Sequence, residues 1–166
     1  MLSSEIQSKI SDIFISIAET ERDIEITRQV LTENKDYNSY QIFCYLDSDK
    51  KNYVENIDIM NYLKSKSIFL TEIEVKLVIL YYDKDLDTNL NYDEFINMIE
   101  SKLSLKKEQK ELTGPLSFSI DYALTKLLEK EIIHAREILK LLADARGFSD
   151  FDIHNIFHFI KYNNMN

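Results

Sequence analysis

DKDLDTNLNYDE, residues 83–94, sets oxygen-bearing side chains at a regular spacing. Asp83, Asp85, Asp87 and Asn91 take the first, third, fifth and ninth places, and Glu94 takes the twelfth. Asn89, at the seventh, offers its backbone carbonyl. That is the spacing of a calcium loop between two helices. A hard cation such as calcium takes roughly six to eight oxygens at about 2.3–2.6 Å, and a two-oxygen carboxylate in the last place closes the shell. Leu90, at the eighth place, is the apolar residue that a short β pairing with a second loop needs. Phe95, Met98 and Ile99 follow at helical spacing. The plain alternative is an acidic surface turn between helices.

This stretch resembles the calcium loop of the EF-hand family, the calmodulin and centrin type. The resemblance implies an all-α fold with one EF-hand pair, and a metal site made of Asp83, Asp85, Asp87, Asn89, Asn91 and Glu94 that takes Ca2+. One position departs from the family pattern. The sixth place, where the family has Gly, is Thr88. The backbone there takes φ > 0, which costs a β-branched residue about 1–3 kcal/mol. The expectation is a weaker calcium site or a differently bent loop.

A second frame of the same length precedes it. DSDKKNYVENID, residues 47–58, has Val54 at the eighth place to match Leu90, and Asp47 stands 36 residues before Asp83. Its ligands are degraded. Lys51 at the fifth place is a cation directed at a cation site, and Asp58 at the twelfth is one methylene shorter than Glu. Asn52 at the sixth tolerates φ > 0 better than Thr. This loop is expected to be empty, or at best a weak magnesium site, and to be structural, holding its neighbour in shape through Val54 and Leu90.

Helix signals surround the loops. Asn38 and Gln41 are in capping register before Ser39–Leu46, whose Ile42, Phe43 and Leu46 share a side. A helix over 57–64 turns Ile59, Tyr62 and Leu63 inward. Thr71 and Glu74 form a capping box, with Leu70 as its staple, before a helix over 72–82 carrying Val75, Ile79 and Tyr82. The exit helix is expected over 92–102.

Two long helices flank this pair. Over 3–34, Ile10, Ile17, Ile24 and Leu31 recur every seven residues, with Ile6 and Ile13 in the alternate seam. Thr20 and Thr27 interrupt it, which argues against a long coiled coil and for packing on the pair or on a partner. Over 118–146, Leu124, Leu128, Ala135, Ile138, Leu142 and Ala145 form a seam widened by Leu127, Ile132, Leu139 and Leu141. Gly147 suits its C-cap, and a last helix is expected over 150–162. The segments are therefore 1–36 (amphipathic helix), 37–101 (EF-hand pair), 102–117 (linker around Gly114-Pro115) and 118–166 (long helix plus short helix).

The two ends also resemble each other. ERDIEITRQVL (21–31) aligns without gaps on EKEIIHAREIL (129–139), pairing Arg28 with Arg136 and Ile24 with Ile132. YNSYQIFCYLD (37–47) aligns on FDIHNIFHFIK (151–161), so the tail reads as a remnant of a second EF-hand unit. This layout resembles calcium-binding repeat proteins of protist cytoskeletons and cilia.

Composition bounds the function. The chain has 166 residues, 30% charged and 45% apolar, with only two Gly and one Pro, which favours a folded helical protein. A formal net charge of −9 argues against a nucleic-acid binder, which needs a basic face. No apolar run spans a membrane, and MLSSEIQSKISDIF lacks a signal layout, so a cytoplasmic protein is expected. The single Cys44 reads as a buried structural thiol, and His134 as half-exposed. His154 and His158 are four apart but lack a third ligand. No catalytic motif is present, so no enzyme is expected. Two functions remain: a structural or regulatory subunit bound to a protein partner, or a calcium sensor that opens on a target helix. With only Met60 and Met98 in the pair, the groove suits one fixed partner.

Overall fold

A computed structural model describes residues 4–102 and 115–146. It holds six helices in the order α1 (Ser4–Thr32), α2 (Ser39–Leu46), α3 (Asn56–Ser65), α4 (Glu72–Tyr82), α5 (Tyr92–Ile99) and α6 (Phe118–Arg146). Among the described residues the only β pairing is an antiparallel bridge between Val54 and Leu90. The fold is all-α. The predicted helix at 150–162, Gly147, His154, His158 and the second half of the repeat lie outside the described residues.

Local chemistry sets the helix starts. Asn38 Oδ1 accepts the Gln41 amide at 2.8 Å and begins α2. Thr71 and Glu74 close a full capping box on α4, and Asn91 and Glu94 close one on α5. Each such cap contributes about 1 kcal/mol. The α5 helix stops three residues short of the expected 102. Glu100 turns extended (ψ 139°), its carboxylate accepts the Tyr37 hydroxyl at 3.1 Å, and Ser101 Oγ donates to Glu25 at 2.6 Å. These contacts with the end of α1 and the turn after it replace the last helical turn.

One apolar core runs through all six helices. Ile42, Phe43 and Leu46 of α2, Ile59, Tyr62 and Leu63 of α3, Val75, Ile79 and Tyr82 of α4, and Phe95, Met98 and Ile99 of α5 are all buried, as their spacing predicts. Phe43 meets Phe95 edge-to-face with ring centroids 5.5 Å apart. The α1 and α6 helices add Ile24, Leu31, Leu124, Leu127, Leu128 and Ile132 to the same cluster. The core is thus continuous across the segment boundaries at 36 and 118.

The two long helices pack along each other, and α6 also lies on α4. The expected packing of a long helix on the loop pair is therefore met within the chain. Threonines interrupt the α1 seam without leaving polar atoms unmatched. Thr20 Oγ1 donates to the Ser16 carbonyl, Thr27 to Asp23 and Thr32 to Arg28, at 2.9–3.0 Å. A hydroxyl bonded to its own helix lets the methyl face the core. At the other end of the interface, the Tyr62 hydroxyl bonds the Asp121 carbonyl (2.9 Å) and Thr125 (3.0 Å), tying α3 to α6.

Two single-residue expectations change. Cys44 is exposed. It follows Phe43 on the side of α2 away from Ile42 and Leu46. His134 is buried, 4% exposed, because α6 turns that face to α1, where its Nε2 lies 3.3 Å from Glu21 Oε1.

Candidate metal centre

The helix α4 ends at a buried tyrosine, Tyr82, and delivers Asp83 into the following loop. The Asp83 amide closes the helix on the Ile79 carbonyl. Its buried carboxylate then organises the turn: Oδ1 accepts the Leu86 amide at 2.7 Å and Oδ2 the Thr88 amide at 2.9 Å. The chain reverses through positive φ at Leu86 (65°) and Thr88 (72°). Thr88 thus takes the left-handed conformation that the frame requires, and the loop keeps its bend.

Folding the loop this way brings three acids together. Carboxylate oxygens of Asp83, Asp85 and Asp87 all lie within 4.8 Å of one another. Three like charges so placed repel by about 1–3 kcal/mol per pair at effective dielectric constants between water and a protein surface. A shared cation removes that repulsion. Oxygen donors without sulfur or nitrogen favour a hard ion.

The other predicted ligands stand differently. Asn91 donates from Nδ2 to Asp85 Oδ2 at 3.3 Å and caps α5 with its oxygen. Asn89 turns its side-chain amide to the Asp87 carbonyl at 3.2 Å. Glu94 is buried and bonded to the backbone. Its Oε1 accepts the Lys84 amide (2.5 Å) and the Asp85 amide (3.3 Å), and Oε2 accepts Asn91 (3.0 Å). The structure therefore brings Asp83, Asp85 and Asp87 to one point, holds Asn91 at its edge, and keeps Asn89 and Glu94 in bonds within the loop.

The loop 47–58 repeats the frame. Lys50 and Asn52 take φ of 58° and 66°, the same fourth and sixth places as Leu86 and Thr88. Asp47 accepts the amides of the fifth and sixth places, Lys51 and Asn52, at 2.8 and 2.7 Å, where Asp83 accepts those of the fourth and sixth. Asp58 Oδ2 accepts the Glu55 amide at 2.9 Å, as Glu94 does from Asn91. Val54 and Leu90 exchange both backbone hydrogen bonds at 2.8 Å and join the loops. The Lys51 ammonium lies among the acids of its own loop. Burial alone would lower its pKa, but the Asp58 and Glu55 hydrogen bonds outweigh that and hold it above the ordinary lysine range.

A buried polar cluster that local spacing does not announce lies next to the loop 83–94, the second of the two in chain order. Arg28 of α1 donates from Nη2 to Glu131 of α6 (2.7 Å) and to the Tyr82 hydroxyl (2.5 Å), and from Nε to the Met98 carbonyl (2.9 Å). Tyr82 donates in turn to Glu131 at 2.9 Å. One guanidinium thereby ties both helices that flank the second loop to α1 and α6. Burial raises the Glu131 carboxyl, and Arg28 opposes that rise. Above it, the neighbouring His134 holds Glu21 down to about 2; burial opposes the shift and the Tyr81 hydroxyl assists it. The signal available was Arg28's place four residues after Ile24 and three before Leu31, on the apolar face. The aligned Arg136 is instead exposed and paired with Glu74, so the likeness of the two ends extends to the apolar face and not to the polar contacts.

Comparison with protein-family models, with curated proteins and with solved structures gave no match. Among the described residues no helix is long and apolar enough to cross a membrane.

Proposed function

We propose that this chain is a non-enzymatic calcium-binding protein of the EF-hand type, whose α4 and α5 are tied to its own packed α1 and α6. It would serve as a structural or regulatory subunit of a larger protein assembly. The observation that carries the reading is the shared twelve-residue frame of the two loops, with positive φ at the fourth and sixth places of each and a bridge at Val54 and Leu90, and with Asp83, Asp85 and Asp87 converged in one of them. A flexible loop of hard oxygen donors suits calcium better than magnesium, which demands near-octahedral order. Glu94, once released from the Lys84 and Asp85 amides, adds the two-oxygen ligand. Large exposed side chains, among them Phe118, Phe69, Ile73 and Phe14, supply apolar surface for a protein partner. The resemblance to cytoskeletal and ciliary repeat proteins makes a cytoplasmic assembly of that kind the natural setting.

One observation favours the sensor reading. Glu94 must exchange backbone amides for a cation, so binding reshapes the start of α5. Arg28 opposes a wide opening, because it holds the ends of α4 and α5 together. Calorimetric titration with calcium in excess magnesium, beside Glu94→Gln, tests the site. One site lost in the variant supports the reading, and no heat in either protein refutes it. Small-angle scattering of the loaded protein then separates a clamp, whose envelope is unchanged, from a sensor, whose envelope expands.

A further inference from the structure

The difference between the two loops that reverses a charge lies at the fifth place. Where the second has the Asp87 carboxylate at the fifth place, the first has the Lys51 ammonium. Its Nζ donates to Glu55 Oε1 at 2.6 Å and to Asp58 Oδ2 and Oδ1 at 2.9 and 3.1 Å. These acids hold the ninth and twelfth places of the loop. The Lys51 side chain is only 18% exposed, and the ammonium lies 5.4 Å from the centre of the Tyr53 ring. Three oxygens and an aromatic face around one positive charge form a complete small cation site, since an ammonium has three protons to give.

We propose that the loop 47–58 is a cation site whose resident ion is the chain's own Lys51 ammonium, and that exchanging this ammonium for a carboxylate converts the loop to a divalent-ion site. The inference rests on the reading of the loops given under the proposed function. A divalent ion entering the native loop would meet a tethered like charge and would have to displace it from Glu55 and Asp58. The loop therefore keeps its shape at every calcium concentration. The Val54–Leu90 bridge passes that fixed geometry to the second loop, which alone answers to the ion.

The test uses the full chain in a Glu94→Gln background, which silences the second loop. Lys51→Asp adds one carboxylate to Asp47, Asp49, Glu55 and Asp58, which already stand at places one, three, nine and twelve. Titrated with calcium by calorimetry, Glu94→Gln alone should show no binding, and the double variant should bind one ion at least tenfold more tightly than the single. No gain in the double variant would overturn the proposal. So would calcium binding by the Glu94→Gln protein that Asp58→Asn removes. A companion variant, Lys51→Met, keeps the side-chain length and removes the charge. In the same Glu94→Gln background its melting temperature should fall in chelator and recover in millimolar calcium; melting like the Glu94→Gln parent in chelator would also overturn the proposal. Failure of the second loop is read separately, from the native protein against Glu94→Gln.

Discussion

Replacing Arg28 by Met should be among the most damaging single changes in this chain. The guanidinium and the Glu131 carboxylate are each 2% exposed and lie 2.7 Å apart. Removing one partner of a buried pair costs roughly 3–5 kcal/mol, because the other is left charged and unmatched. Here Glu131 would keep only the Tyr82 hydroxyl, and the Met98 carbonyl would lose its donor. We expect a loss of about 4 kcal/mol. With a urea dependence of about 2 kcal/mol per molar, that lowers the unfolding midpoint by about 2 M. Glu131→Met should cost a similar amount. The double variant should cost at least about 2 kcal/mol less than the sum of the singles, since it removes both charges at once. Urea unfolding followed by circular dichroism completes the cycle. A single-variant loss below about 1 kcal/mol, or strict additivity in the double, would refute the assignment of Arg28 as the tie between α1, α6 and the second loop.

Two further outcomes follow from the same geometry. The loop holds a β-branched residue at φ 72°, so Thr88→Gly should stabilise the fold by about 1 kcal/mol in urea unfolding, the strain of about 1–3 kcal/mol being partly offset by glycine's greater freedom when unfolded. Glu21 is depressed to about 2, so its contribution to stability is present above its unfolded value of about 4.5 and is lost as the pH falls toward 2. The full shift corresponds to about 3 kcal/mol. Glu21 is 31% exposed and screened, which reduces the expected loss to roughly 1–2 kcal/mol, visible as acid unfolding that Glu21→Gln flattens over that window.

The sequence carried those features that depend on local spacing. The bounds of α2, α4 and α6 follow from caps and periodicity, and the twelve-residue frames of both loops follow from oxygen spacing. The inward faces of α2 to α5 follow for the same reason, since one buried side is enough to set a helical period. What stayed hidden depended on which faces meet across long separations. Cys44 and His134 were misplaced because a face's exposure is decided by its neighbour, and neither neighbour is local. Arg28 stands in the sequence only as a repeat position, because a buried guanidinium leaves no periodic trace of its own. Glu94 showed its chemistry but not its present bonds, because a carboxylate at the twelfth place can serve either an ion or the amides of Lys84 and Asp85.

The partnership of α1 with α6 also sets an order of assembly. Arg28 and Glu131 are 103 residues apart in the chain, whereas Val54 and Leu90 are 36 apart. Loop-closure entropy, (3/2)RT ln n, separates these by about 1 kcal/mol, which makes the nearer contact roughly fivefold easier to close. Low-separation contacts generally form first. The bridged loops should therefore close while α1 still has no partner, with Ile24 and Leu31 bare. On the ribosome α1 emerges before everything it packs against. During that interval it is the surface a chaperone would need to cover.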